Sequence, residues 1–124
     1  GLPGLIVAII FPDKQFTLLD SNGKKIRFLI QAIHELKLEN CEAIQSRVEE
    51  YQSTELFDCI TTRAFSDLSK MLALTKHLAK EKTIWLAMKG DIDPEEYLSF
   101  KNAKCVELAV PHLSEKRALV IVSN

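Results

Sequence analysis

Strands and amphipathic helices alternate along most of this 124-residue sequence, and this alternation is the strongest constraint on its fold. Residues 16–19 form a short β-prone run, Asp20 closes it, and residues 21–23 supply turn chemistry that can cap a helix. The apolar residues that follow at helical spacing are Ile26, Leu29, Ile30 and Ile33. We therefore predict a strand, a tight turn and an amphipathic helix in succession.

The same unit repeats further along the chain. Residues 41–45, 57–62 and 83–88 predict three more strands, and residues 66–67 can cap a helix that runs to about residue 79. Because strands alternate with helices, the chain should form an α/β fold with a parallel sheet and helices on its faces.

The last third of the sequence has a different pattern. Residues 93–96 open a helix, with Pro94 in its first turn and acidic residues at the positive end of the helix dipole. Residues 104–110 and 117–122 predict two strands whose connection is too short for a helical crossover. These two strands should therefore pair as a C-terminal antiparallel hairpin.

Composition places the chain among ordinary soluble globular domains, with 47% hydrophobic and 27% charged residues, and we expect one domain over residues 1–124. The formal net charge is −1, so affinity for nucleic acid requires a local patch. Cys41, Cys59 and Cys105 are odd in number and lie among apolar residues, which favours buried thiols in a reducing compartment. No apolar run is long enough to span a bilayer, and we expect a cytoplasmic protein.

Candidate ligand-binding residues follow the predicted strands, because ligands of such sheets bind beyond the carboxyl ends of the strands. Asp20 lies sixteen residues after Gly4, near the interval at which dinucleotide folds place a ribose-binding acid, although a helix cap or turn acid fits equally. Gly1 and Gly4 fit the end of a glycine-rich turn or an ordinary loop. Residues 5–11 are apolar, and their pattern allows a strand or a helix.

Several cations are candidates for contacts with phosphates or carboxylates. Arg63 and Lys89 each follow a predicted strand, so both should lie at one crevice, unless they are simply solvated. Five further cations could form a phosphate-contacting surface: Lys24, Lys25 and Arg27, with Arg47 and Arg117 elsewhere. A solvated helix face explains the first three equally well. His34, His77 and His112 lack metal-ligand spacing, we expect no metal, and Trp85 should be a core residue.

Six stretches of the sequence closely resemble the bacterial glucose-inhibited division protein B family, in the family's order. They are residues 1–4, 17–21, 23–29, 45–49, 63–66 and 88–90, and with Pro111 and the strand 117–122 they are spread along nearly the whole chain. The resemblance implies a Rossmann-like class I methyltransferase that transfers the methyl group of S-adenosylmethionine to N7 of a guanine in small-subunit (16S) ribosomal RNA. A C-terminal antiparallel hairpin is found in many methyltransferases of that class.

The resemblance also implies roles for individual residues. It places Gly1 and Leu2 in the cofactor loop, Asp20 and Ser21 near the ribose, Val48 and Glu49 beside the adenine, and Arg63 in the cofactor site. Arg47, Lys89 and Arg117 are implied as contacts to the RNA or the guanine, and the partner is ribosomal RNA or a ribosomal particle.

Two departures from the family pattern stand out. The resemblance implies that the sequence begins within the cofactor loop and lacks the family's N-terminal helical region, first strand and opening glycines. Because that strand is central, we expect two unpaired strand edges and exposed apolar surface. Cys59 stands where the family typically has glycine.

Two other functions remain as alternatives. A non-catalytic Rossmann-like module would bind a nucleotide or a partner without transferring a methyl group. A nicotinamide-dependent oxidoreductase is disfavoured because the sequence contains no complete G-x-G-x-x-G motif.

Overall fold

The computed structural model describes residues 2–63, 68–89, 102–108 and 117–123, and the chain divides into two compact units, Gly1–Tyr51 and Gln52–Asn124. The first unit contains α1 (Leu2–Ile10), β1 (Phe16–Asp20), α2 (Gly23–Glu35) and β2 (Cys41–Gln45). The second contains β3 (Phe57–Arg63), α3 (Leu68–Thr75), a short 3-10 helix (Lys76–Leu78), β4 (Ala79–Lys89), β5 (Ala103–Leu108) and β6 (Arg117–Ser123). The prediction of one domain over residues 1–124 stays a prediction.

The sheet of the first unit consists of β1 and β2, which pair in parallel from Phe16 opposite Cys41 to Asp20 opposite Gln45. Its apolar cluster is formed by Leu5, Leu18, Ile26 and Leu29. Residues 5–11, for which the sequence left strand and helix open, belong mainly to helix α1. The predicted strand, turn and amphipathic helix over residues 16–35 are confirmed.

Helix α2 begins after Asn22, whose side chain accepts hydrogen bonds from the backbone N–H groups of Lys24 and Lys25. One of the four apolar residues at helical spacing is not covered, because Ile30 is 52% exposed. Ile30 lies at the margin of the apolar stripe, whose centre is buried.

A close contact with β1 and one buried amide next to β2 hold helix α1 against the sheet. A Cβ atom at Gly4 would overlap Cδ2 of Leu18, so the absent side chain lets the helix approach the strand closely. Asn40 is 6% exposed, and its Nδ2 donates to the carbonyl oxygens of Ala8 (3.0 Å), Phe11 (3.0 Å) and Lys14 (2.9 Å). The end of α1 and the segment after it are therefore tied to the start of β2.

The sheet of the second unit has the strand order β3-β4-β6-β5. β3 and β4 are parallel, whereas β6 is antiparallel to both β4 and β5, which confirms the predicted C-terminal hairpin. The core cluster between α3 and the sheet consists of Leu68, Met71, Trp85, Ala87, Val120 and Val122, and the prediction that Trp85 is a core residue is confirmed.

Two hydroxyl groups satisfy buried polar atoms in this unit. Nε1 of Trp85 donates to Oγ1 of Thr75 at 2.9 Å, and that hydroxyl donates to the carbonyl oxygen of Met71 at 2.8 Å. Oγ1 of Thr83 donates to the carbonyl oxygen of Phe57 at 2.6 Å and accepts from the backbone N–H of Lys80 at 2.8 Å. The core therefore combines apolar packing with paired polar groups.

β4 begins four residues earlier than the sequence predicted, at Ala79 rather than residue 83, and α3 is correspondingly shorter. Residues 80–82 are all charged, so the apolar pattern that predicted the strand begins only after them. In the structure this part of the strand pairs with β3, and Lys80 forms a salt bridge with Asp58. The predicted caps at residues 66–67, the helix opened by residues 93–96, Gly90, residues 109–110, Pro111 and His112 lie outside the described residues.

The cysteines are less buried than the sequence suggested. Cys59 is exposed, whereas Cys41 and Cys105 are partly exposed, so the prediction of three buried thiols is wrong. Since strand side chains alternate between faces, Cys59 lies on the face of β3 opposite Ile60, which packs against the core. No disulfide joins the three cysteines.

In the part of the chain that the structure describes, two strands have an unpaired edge and one helix exposes apolar side chains. Among the described residues, β1 pairs only with β2, and β3 pairs only with β4, so each has a free edge. Helix α1 exposes Ile6, Ile9 and Ile10. None of the described helices is long and apolar enough to cross a membrane.

We expect Gly4→Ala to lower the free energy of unfolding of the full-length protein by about 1–3 kcal/mol, because the added Cβ overpacks against Leu18. In a Leu18→Ala background, which opens that space, the same change should be neutral or stabilising by up to about 1 kcal/mol through helix propensity. Denaturant unfolding of all four variants measures this difference. An equal effect of Gly4→Ala in both backgrounds would contradict the close contact.

We expect Thr75→Val to destabilise the protein by about 1–3 kcal/mol, because it leaves the buried indole N–H of Trp85 without an acceptor. In a Trp85→Phe background this donor is absent, so the additional effect of Thr75→Val should be much smaller. Thermal and denaturant unfolding provide the double-mutant cycle. Additive effects would show that the hydrogen bond contributes nothing.

Candidate functional site

The carboxyl ends of β1 and β2 lie side by side in the first unit. Asp20 is the last residue of β1 and pairs with Gln45, the last residue of β2. The backbone N–H of Ser46 donates to the carbonyl oxygen of Asp20 at 3.0 Å, which continues the pairing past the end of β2. Ser21 and the turn that follows Ser46 therefore start from the same edge of the sheet, as the sequence predicts for a ligand site.

The two carboxylate oxygens of Asp20 have different surroundings: Oδ1 accepts a backbone hydrogen bond, and Oδ2 is open, meaning that it accepts none from a described residue. Oδ1 accepts the backbone N–H of Asn22 at 2.9 Å, so Asp20 shapes the turn before α2, while Asn22 caps the helix. Among the described residues no donor reaches Oδ2 of Asp20, and the residue is half-buried. A carboxylate oxygen in this state can accept hydrogen bonds from the hydroxyl groups of a ligand.

The chain turns sharply after β2. The carbonyl oxygen of Arg47 accepts from the backbone N–H groups of Glu50 at 3.0 Å and Tyr51 at 3.1 Å. Within this turn Val48 is half-buried, whereas Arg47 and Glu49 are exposed. The turn therefore offers one apolar side chain and one carboxylate beyond the strand ends.

Gln45 is a residue to which the sequence assigned no role of its own. Its Nε2 donates to the carbonyl oxygen of Ser21 at 3.4 Å, and its amide atoms lie 3.0–3.3 Å from the position of a Cβ at Gly23. Gln45 thus packs between the turn after β1 and the first turn of α2. The available signal was a polar residue at the last position of a strand.

The predicted cations of the second unit share one end of its sheet by strand register. Arg63 is the last residue of β3 and pairs with Met88, the residue before Lys89. Lys89 pairs with Ala118, so the preceding Arg117 lies at the same end. Arg63 and Lys89 are the last residues of their strands, whereas the sequence placed both just after the strands, and Arg63 is exposed.

The remaining predicted site residues lie at the start of the chain. Gly1 is outside the described residues, and Leu2 is the first residue of α1 rather than part of a loop. Gly4, which the sequence suggested for a glycine-rich turn, lies within α1, where it permits the close approach to Leu18.

The described residues contain no cluster of three His, Cys, Asp or Glu side chains that could hold a metal ion. Partial burial and the neighbouring Glu42 carboxylate raise the pKa of the Cys41 thiol. Partial burial and Asp58 likewise raise the pKa of the Cys59 thiol. Both shifts favour the protonated thiol, which is a poorer nucleophile than the thiolate.

Two solved structures share the fold of this chain. An rRNA methylase from Streptococcus thermophilus superposes with a TM-score of 0.62 at 12% identity, covering 98% of this chain and 93% of that protein. TYW2 from M. jannaschii, in complex with AdoMet, gives a TM-score of 0.71 at 13% identity over 96% of this chain and 61% of that protein. The fold is that of class I S-adenosylmethionine-dependent methyltransferases, as predicted.

The family described as rRNA small subunit methyltransferase G matches residues 1–120, and the chain belongs to this family. A relative of that name from Salmonella arizonae is 48% identical over all of this chain and 62% of its own length. Another from Legionella pneumophila is 46% identical over all of this chain and 60% of its own length. The chain therefore spans about three fifths of the length of these relatives, and the resemblance to the glucose-inhibited division protein B family is confirmed.

Proposed function

We propose that the protein containing this chain transfers a methyl group from S-adenosylmethionine to N7 of a guanine in small-subunit ribosomal RNA. Membership of the family supports this proposal, since relatives 46–48% identical to the chain carry the name ribosomal RNA small subunit methyltransferase G. The structural observation that best supports S-adenosylmethionine as the cofactor is the open oxygen Oδ2 of Asp20 at the carboxyl end of β1.

In the proposed cofactor site, the Asp20 carboxylate accepts hydrogen bonds from the ribose hydroxyls, with Ser21 next to it. The turn after β2 contributes Val48 as an apolar surface for the adenine and Glu49 as an acceptor beside it. Gly1, Leu2 and Arg63 complete the proposed set, Arg63 as a partner for the cofactor carboxylate. The common edge of β1 and β2 supports the first group of contacts.

In the proposed RNA contacts, Arg47, Lys89 and Arg117 bind phosphates or the target guanine. Arg47 is exposed in the turn that also holds Val48, and the register of the second sheet supports a shared location for the other two. Ribosomal RNA, alone or in a ribosomal particle, is the proposed partner, and the cytoplasm is the proposed location.

The proposed reaction needs little covalent assistance from the protein. Guanine N7 carries a lone pair that attacks the methyl carbon, the bond from this carbon to the sulfonium sulfur breaks, and the positive charge passes to the guanine ring. No proton has to move, so the contribution of the protein is to align the two reactants and to provide a suitable electrostatic field. We accordingly assign no catalytic nucleophile, general base or metal.

The test is to incubate the full-length protein with radiolabelled S-adenosylmethionine and unmethylated small-subunit ribosomal RNA or particles. We expect label in the RNA and strand scission at one guanine after treatment that cleaves at N7-methylguanine. Binding of S-adenosylmethionine without transfer would identify a non-catalytic module instead. Binding of NAD without S-adenosylmethionine would identify an oxidoreductase.

We expect Asp20→Asn to weaken S-adenosylmethionine binding about 10- to 100-fold, because hydrogen bonds to a charged group are worth about 1.5–3 kcal/mol. Asparagine keeps an acceptor for the Asn22 N–H, so the turn before α2 should survive. Calorimetric titration of the full-length protein measures the affinity, with Glu39→Gln as the matched control at an exposed acid next to Asn40. Equal affinities for both variants would remove Asp20 from the cofactor site.

A further inference from the structure

The outer face of α2 combines cations, an exposed aromatic ring and a groove. Lys24, Lys25 and Arg27 are exposed, and none has an ion pair with another described residue. Phe28 is 57% exposed and lies beside these cations on the same helix. The groove has a volume of about 340 Å³ and is lined by Phe28, Gln31, Ala32, Glu35 and Leu36.

The helix places the cations next to the aromatic ring. Lys24 and Lys25 precede Phe28 by four and three residues, so both are its neighbours on the helix surface. Side chains on a helix lean toward its N-terminus, which brings the ring of Phe28 over the turn that carries the two lysines. The ring therefore lies between a positively charged end and the groove.

Stability of the helix does not explain this arrangement. Lys24 and Lys25 lie in the first turn, which contains no acidic residue, and cations there are repelled by the positive end of the helix dipole. Phe28 points away from the buried stripe of Ile26 and Leu29 and contributes little to the core. A polyanion with flat apolar groups would complement both features.

The far end of the groove carries hydrogen-bonding groups. Nε2 of Gln31 donates to Oε1 of Glu35 at 3.1 Å, which orients the two side chains toward each other. The carboxylate of Glu35 disfavours a phosphate at this end but can accept hydrogen bonds from the amino groups of a base. The face therefore has cations suited to phosphates at the start of α2 and hydrogen-bonding groups suited to a base near its end.

We infer that the outer face of α2 binds an unpaired segment of the RNA substrate, with phosphates on Lys24, Lys25 and Arg27 and a base stacked on Phe28. The edge of that base faces Gln31 and Glu35. An exposed aromatic ring flanked by cations suits single-stranded RNA, because a base in a duplex cannot stack on a side chain. This inference rests on the proposed function for its RNA and adds the surface that holds it.

The experiment measures binding of a short unpaired RNA and of a matched duplex to the full-length protein by fluorescence anisotropy. Phe28→Ala should weaken binding of the unpaired RNA about 5- to 150-fold, the range for loss of one stacked base. Phe11→Ala is the matched control, since Phe11 is 50% exposed, directly follows α1 and does not line the groove. It should leave the affinity unchanged.

The cations are tested together. Replacing Lys24, Lys25 and Arg27 by glutamine should reduce the slope of log affinity against log salt concentration by about 2, at about 0.7 per phosphate contact. Replacing the exposed Lys14, Lys76 and Lys82 by glutamine changes the net charge equally and should leave most of the slope intact.

Three further readouts separate the outcomes. S-adenosylmethionine affinity should be unchanged in both α2 variants, and in methyl transfer KM for RNA should rise while kcat is retained. RNA affinities equal to those of the controls would overturn the inference. A lower Tm of Phe28→Ala without loss of RNA binding would also overturn it, because that result would show that another part of the protein covers this face. RNA bound through α2 without methyl transfer would refute the proposed function and uphold this inference.

Discussion

The parallel pairing of β1 with β2 is the constraint on which the candidate site depends. Hydrogen bonds continue this pairing at both ends. The N–H of Phe16 donates to the carbonyl oxygen of Asn40, and the N–H of Ser46 donates to the carbonyl oxygen of Asp20. Because the strands are parallel, both of their carboxyl ends lie at one edge. Residues separated by more than twenty positions in the sequence, Asp20 and the turn after Ser46, are thereby brought to the same place.

The elements around this pair are held by contacts that tolerate little change. Gly4 allows α1 to approach Leu18, and Nδ2 of Asn40 lies within hydrogen-bond distance of three carbonyl oxygens at and beyond the end of α1. In the second unit the indole of Trp85 is paired through Thr75. Each unit therefore contains a buried polar side chain whose group would lower the stability of the fold if it were unpaired. This requirement favours one arrangement of helix and strand over others.

Residues at the strand ends show how far a sequence pattern can be taken. Asp20 was predicted as a ribose ligand or a turn acid, and its two oxygens allow both roles, since one shapes the turn and the other is open. The sequence also led to Arg63 and Lys89 at the ends of neighbouring strands, which the register of β3 and β4 bears out. The role of Gln45 was not predicted, because Gln45 contacts Ser21 and Gly23, which lie in a distant segment of the sequence.

The sequence by itself determined the order of the described strands and helices from β1 onward, the C-terminal hairpin and the family, because periodicity, turn residues and shared motifs are local properties of the chain. Only the tertiary structure decided which face of each element is covered. Ile30 and Cys59 are exposed although their neighbours suggested burial, and the start of β4 depends on its pairing with β3. Burial and strand pairing depend on residues distant in sequence, and no local pattern contains that information.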